Sequence, residues 1–167
     1  SIAVLIAMSA TAQPPRYILK DLGTLPGAGF SQATYVNNNG WITGFSSTRG
    51  GPSHAVVWAG DRIVDIATPG LGGPNSGALG ITPSGQVVGW AESSDPDPNT
   101  ANFCAYGTGL RCLPFVWQNG IGMTALSLLG GYNGAAGPLN SRGEAVGIAE
   151  TAVVDPECSH HAAVNGT

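Results

Sequence analysis

One short phrase occurs three times in this chain and limits the fold more than any other feature. The copies are Asn37-Asn38-Asn39-Gly40-Trp41-Ile42-Thr43-Gly44, Thr82-Pro83-Ser84-Gly85-Gln86-Val87-Val88-Gly89 and Asn140-Ser141-Arg142-Gly143-Glu144-Ala145-Val146-Gly147. Each reads as a turn closed by glycine, a three-residue extended stretch and a second glycine. Gly40 to Gly85 spans 45 residues, as does Gly44 to Gly89, and the next interval is 58 for both glycines. Most of the extra length falls in one loop, Ala91 to Cys112. Four short strands fit each interval, and helical periodicity is missing throughout. The expected fold is therefore all-β, with four-stranded antiparallel blades of a β-propeller-like repeat, about three of them present.

The order of segments repeats with the phrase. Tyr17 to Leu22 reads as a first strand, followed by the turn-rich Gly23 to Gly27, with counterparts at Pro69 to Gly73 and Ser127 to Gly131. Short strands are expected at 32–36, 77–81 and 135–139, and after each glycine phrase at 41–45, 86–90 and 144–148. His54-Ala55-Val56-Val57-Trp58 and Leu113-Pro114-Phe115-Val116-Trp117 read as third strands, and 62–66 and 123–126 as fourth strands. Thr43, Val88 and Val146 share one face while Ile42, Val87 and Ala145 share the other, so both faces are partly apolar, as a sheet stacked between sheets requires. The second glycine of each phrase marks a bulge or a point where no side chain fits.

Composition narrows the class. Gly (26) and Pro (12) make up about 23% of 167 residues, against an average near 12%, and their regular spacing indicates turns rather than disorder. Six scattered Lys and Arg and a formal charge of −4 leave no basic stripe for a phosphate backbone, so nucleic acid is not an expected partner. Ser1 to Met8 is apolar and is followed by Ala10-x-Ala12, which predicts that residues 1–12 are the remnant of a secretory signal peptide. Residues 13–167 then form a single repeat domain with units at about 17–66, 67–126 and 127–167, the last incomplete. The mature chain is expected to be secreted or periplasmic, with no membrane span, and to be part of a longer propeller.

The ordered phrases Asp21-Leu22-Gly23-Thr24-Leu25, Ser31-x-Ala33, Asn37-x-x-Gly40-x-x-x-Gly44 and His54-Ala55-Val56-Val57-Trp58 resemble the bacterial probable extracellular repeat of the HAF family, named for a His-Ala-Phe phrase in each unit. The resemblance runs from Tyr17 to the end of the chain. It departs at Leu113-Pro114-Phe115, which lacks the His, and at His161-Ala162-Ala163-Val164-Asn165, which lacks the closing Trp. It implies export and a propeller-like repeat, and no chemistry.

No catalytic, cofactor or metal constellation emerges from the residues. His54 and His161 begin equivalent strands and read as hydrogen-bonding residues. His160 and His161, being adjacent, point to opposite sides of a strand. Asp95-Pro96-Asp97-Pro98-Asn99 echoes a calcium loop, but prolines fill both intervening positions and no Gly or Glu follows. Of the three cysteines, Cys104 and Cys112 are favoured as a disulfide that pins the long loop, over a Cys112–Cys158 link between units. Trp41 is the tryptophan most open to exposure, because Gln86 and Glu144 stand at its equivalent positions.

The expected function is a non-enzymatic exported binding module for an unidentified protein or carbohydrate. Its candidate ligand-facing loop carries Asp95, Asp97, Asn99, Tyr106 and Arg111. The alternatives are a self-associating cell-surface protein, or a secreted hydrolase or lyase whose site lies in further repeats.

Overall fold

The computed structural model describes residues 16–153. The expected signal remnant, Cys158, His160 and His161 lie outside them. The described chain is all-β and contains no helix. Ten strands run β1 (Ser31–Val36), β2 (Ile42–Ser47), β3 (Ser53–Ala59), β4 (Arg62–Asp65), β5 (Gly72–Ile81), β6 (Val87–Pro96), β7 (Leu110–Gln118), β8 (Gly122–Ala125), β9 (Gly130–Leu139) and β10 (Ala145–Thr151). They form three antiparallel sheets in sequence order: β1-β2-β3-β4, β5-β6-β7-β8 and β9-β10.

The glycine phrases are the hairpin turns between the first two strands of each sheet. In each, the fourth residue donates its N–H to the first residue's carbonyl: Gly40 to Asn37 at 3.0 Å, Gly85 to Thr82 at 3.0 Å and Gly143 to Asn140 at 3.1 Å. Those glycines adopt φ of +74°, +87° and +84°, the left-handed geometry that ends such a loop and that other residues avoid. The first side chain of each phrase reinforces the turn. Asn37 Oδ1 accepts from the N–H of Asn39 and Trp41, Thr82 Oγ1 from Gln86, and Asn140 Oδ1 from Arg142 and Glu144.

The second glycine has a different role. It pairs across the sheet with Ala33, Ala78 or Ala136, beside a register shift in the first strand. A Cβ on Gly44 would lie 1.9 Å from the Gln32 carbonyl oxygen, on Gly89 2.0 Å from that of Gly77, and on Gly147 2.4 Å from that of Ala135. The bulge pushes a carbonyl into the place a side chain would take, so glycine is the one residue that fits.

The sheets stack through one interface used twice. Ala55 and Val57 on β3 cluster with Ala78 and Ile81 on β5, together with Val87, Ala91 and Phe115. One unit later, Val88 and Val116 meet Ala136 and Leu139. The opposite side of the first sheet, with Val56 and Trp58, is covered by Leu22, Leu25 and Ala28.

Two features differ from the sequence expectation. The first strands of the second and third sheets begin at Gly72 and Gly130, inside stretches read as turns, because their second strands run on to supply partners. Tyr17 to Leu22 forms no strand. Tyr17 to Asp21 are exposed, Leu22 alone packs inward beside Val56 and Trp58, and a strand needs a neighbour to bond its backbone.

Gly89→Ala is expected to lower unfolding free energy by about 3 kcal/mol or to prevent folding, because backbone rather than a movable side chain blocks the new methyl group. Gly23→Ala is the control, since a Cβ there meets nothing within 4 Å and the cost is its positive φ alone. Equilibrium urea unfolding of both variants provides the comparison.

Candidate functional site

A meander places its β1–β2 and β3–β4 turns at one end of a sheet and its β2–β3 loop at the other. The long loop between β6 and β7 therefore lies at the end opposite the glycine hairpins. The loop is tied down by its own side chains. Asp97 is buried, and its carboxylate accepts from the N–H groups of Asn99 and Ala101, both at 2.9 Å, and from Asn133 Nδ2 on β9 at 2.9 Å. Burial pushes the Asp97 carboxyl up. The hydrogen bonds from Asn99, Asn133 and Ala101 and the Arg111 charge outweigh it and hold the group below the ordinary aspartate value.

The remaining candidate residues surround this anchor. Cys104 and Cys112 form a disulfide with Cα atoms 5.6 Å apart. Tyr106 lies against Trp90, with ring centroids 5.5 Å apart. Arg111 stands over the Tyr132 ring, gives its Nε to the Tyr132 carbonyl at 3.1 Å and approaches Asp95 at 3.7 Å. Asp95 and Asn99 are exposed. Three non-glycine residues, Thr100, Asn102 and Ala105, take positive φ. Such geometry costs roughly 1–2 kcal/mol per residue and persists where neighbouring contacts hold it.

Beneath the loop lies a polar device that the sequence reading missed. Asn75 Oδ1 accepts the N–H of Ser53 on the preceding sheet at 2.9 Å, while its Nδ2 donates to Glu92 on its own sheet at 2.7 Å. Asn133 repeats this, accepting from the N–H of Cys112 at 2.8 Å and donating to Glu150 at 3.1 Å. Thr108 donates to the other oxygen of Glu92. Glu92 and both asparagines are buried, and each is satisfied. The available signal was that Asn75 to Asn133 and Glu92 to Glu150 both repeat the interval from Gly89 to Gly147.

His54 Nδ1 lies 2.8 Å from Asp65 Oδ2 across β3 and β4, and Asp65 Oδ1 accepts the N–H of Ala67. One carboxylate oxygen thereby joins β3 to β4 and the other closes the local turn after β4. Among the described residues, no group of three or more His, Cys, Asp and Glu is placed to hold a metal ion.

The hairpin end carries a cleft of about 540 Å³ between the first and second sheets. Val57 and Ile81 line its buried part. Trp41 comes from the first glycine hairpin, Ser84 and Gly85 from the second, Arg62 from β4, and Trp117, Gln118 and Asn119 from the end of β7 and its turn. Both tryptophans are half-buried. Trp41 packs against Gly85 so closely that a Cβ there would lie 2.9 Å from the ring. The second hairpin is fixed beside the first by Asn37 Nδ2 to the Thr82 carbonyl at 2.9 Å and Asn39 Nδ2 to the Pro83 carbonyl at 2.8 Å. The cleft thus has two indoles, two amides, a hydroxyl and a guanidinium on a rigid frame.

Two outcomes are expected at the loop end. Because the folded Asp97 carboxyl lies below its unfolded value of about 3.9, its contribution is fully present above that value and disappears as pH falls through the folded one. Asp97→Asn therefore loses stability at pH 7 and shows a flatter acid limb in thermal melts from pH 7 down to 2. Cys104→Ser is expected to cost about 2–3 kcal/mol in urea unfolding, the usual scale for closing so short a loop. No known protein family, curated protein or solved structure matches the chain, so the arrangement of these residues carries the functional reading.

Proposed function

We propose that this chain is an exported, non-enzymatic binding module of propeller-like repeat construction, and that the cleft between its first two sheets takes a saccharide. The single observation that carries the reading is the pairing of Trp41 and Trp117 with the polar groups of Ser84, Gln118, Asn119 and Arg62 around one opening. A sugar ring has an apolar face of C–H groups and an edge of hydroxyls. Indole faces suit the first, and side-chain amides, which both donate and accept, suit the second.

The lining also bears on the reaction type. It contains no His, Cys, Asp or Glu, the groups that most often move a proton or attack a glycosidic carbon. Ser84, its hydroxyl, lies 2.8 Å from the Thr82 hydroxyl rather than beside a base. Binding without bond cleavage fits these residues. The disulfide, characteristic of oxidising compartments, supports export. Among the described residues, no helix is long and apolar enough to cross a membrane. The resemblance of the repeated phrases to the HAF extracellular repeat points the same way, and four-stranded antiparallel sheets stacked in sequence order support blades of a propeller.

A glycan array probed with the chain, followed by calorimetry on the strongest binder, tests the proposal. Trp117→Ala and Trp41→Ala should each weaken binding by about tenfold or more, equivalent to about 1.4 kcal/mol. Asn99→Ala, in the loop at the far end, should leave it unchanged. Binding that survives both tryptophan replacements, or an array on which the parent chain binds nothing, would remove the cleft from consideration.

A further inference from the structure

The third sheet bares a face that the first two cover. Thr43 on β2 pairs with Val57 on β3, beneath the first strand of the second sheet. Val88 pairs with Val116 in the same way beneath β9. Thr43 and Val88 are 0% and 3% exposed. Their equivalent on β10, one residue before Gly147, is Val146, which is 71% exposed, and Ile148 beside it is also bare.

The other end of the stack presents the complementary half. Ala78 with Ile81, and Ala136 with Leu139, are the side chains that cover a preceding sheet. The residues in that register on β1 are Ala33 and Val36, since Ala33 opposes Gly44 as Ala78 opposes Gly89 and Ala136 is paired with Gly147. Ala33 is exposed and Val36 is 57% exposed.

A third feature agrees. Ile18 to Asp21 has the register of a fourth strand. Asp21 Oδ1 accepts the N–H of Gly23 at 2.9 Å, as Asp65 Oδ1, at the end of β4, accepts that of Ala67 at 2.9 Å. Both lead into the same turn-rich stretch before a first strand. Ile18 and Leu19 are almost fully exposed, and by register they belong to a sheet preceding β1.

We propose that these are two halves of one joint. A second copy of this chain docks head to tail, its Ala33 and Val36 against Val146 and Ile148 of the first, with its Ile18–Asp21 segment reaching back to the first copy's third sheet. At Ala33, Val36 and Val146 the joint repeats the contact that Ala136 and Leu139 make with Val88 inside each copy. It is heterologous, joining different surfaces of the two copies, so it either closes into a ring or continues as a fibre. The joint lacks one internal component. Phe30 occupies the position of Asn75 and Asn133 and cannot accept a backbone N–H from the sheet before it. Association is accordingly apolar, weaker than the internal interfaces and dependent on concentration.

Sedimentation velocity of the full chain over a hundredfold concentration range should show reversible association. Val36→Asp and Val146→Asp should each sediment as monomers with unchanged far-ultraviolet circular dichroism. Mixed one to one, they should form a dimer and nothing larger, because one intact head and one intact tail remain. That mixture also shows that both variants are folded. A parent chain that stays monomeric at every concentration overturns the proposal. So does a Val36→Asp variant that associates like the parent, since the tail face would then be pairing with itself.

Discussion

In each sheet a backbone carbonyl of the first strand presses against the Cα of a glycine on the second, and the rest of the stack depends on that contact. The carbonyls of Gln32, Gly77 and Ala135 occupy the space a Cβ would need on Gly44, Gly89 and Gly147. The bulge that brings them there shifts the register of the first strand. This shift lets Ala78 and Ile81 both pack toward the preceding sheet, three positions apart, where an unbroken strand would turn one of them away. Sheet-to-sheet packing thus follows from a missing methyl group.

The stack is held by apolar and polar parts with separate roles. Small and branched side chains fill the space between sheets without setting their relative height closely. Asn75 and Asn133 supply that precision, because each bonds a backbone N–H of the preceding sheet and a carboxylate of its own. Buried amides and carboxylates are costly when unpaired and specific when fully paired. The repeated pattern makes each sheet depend on its immediate neighbours, so stability is set by neighbouring pairs rather than by one shared core.

Much of this was legible in the sequence. The glycine phrases marked three hairpins, and the second glycine was readable as a bulge or a point where no side chain fits; the structure shows both together. The disulfide at Cys104–Cys112 was also readable, whereas Trp41, expected to be the most open tryptophan, is half-buried like Trp90 and Trp117. What stayed hidden depends on partners distant in the chain. Gly72 and Gly73 read as the end of a turn until the continuation of β6 to Pro96 supplies a strand partner. Asp97 reads as a surface acid until Asn133, from the next sheet, reaches it. Tyr17 to Leu22 has strand composition and no strand neighbour. The cleft joins residues from seven turns and strands, and no local pattern could show that Trp41 and Trp117 share it.

The two ends of the stack differ in their tolerance of change. At the hairpin end, Asn37 and Asn39 reach carbonyls of the next turn, so a residue added there would pull two bonds and a tryptophan out of place. At the other end, the second sheet carries a much longer loop than the first, yet its Val88–Val116 face meets the next sheet as Thr43–Val57 does. The loop end is where such a chain can diversify. New segments can be spliced between second and third strands, each stapled locally, while the sheets beneath keep their spacing.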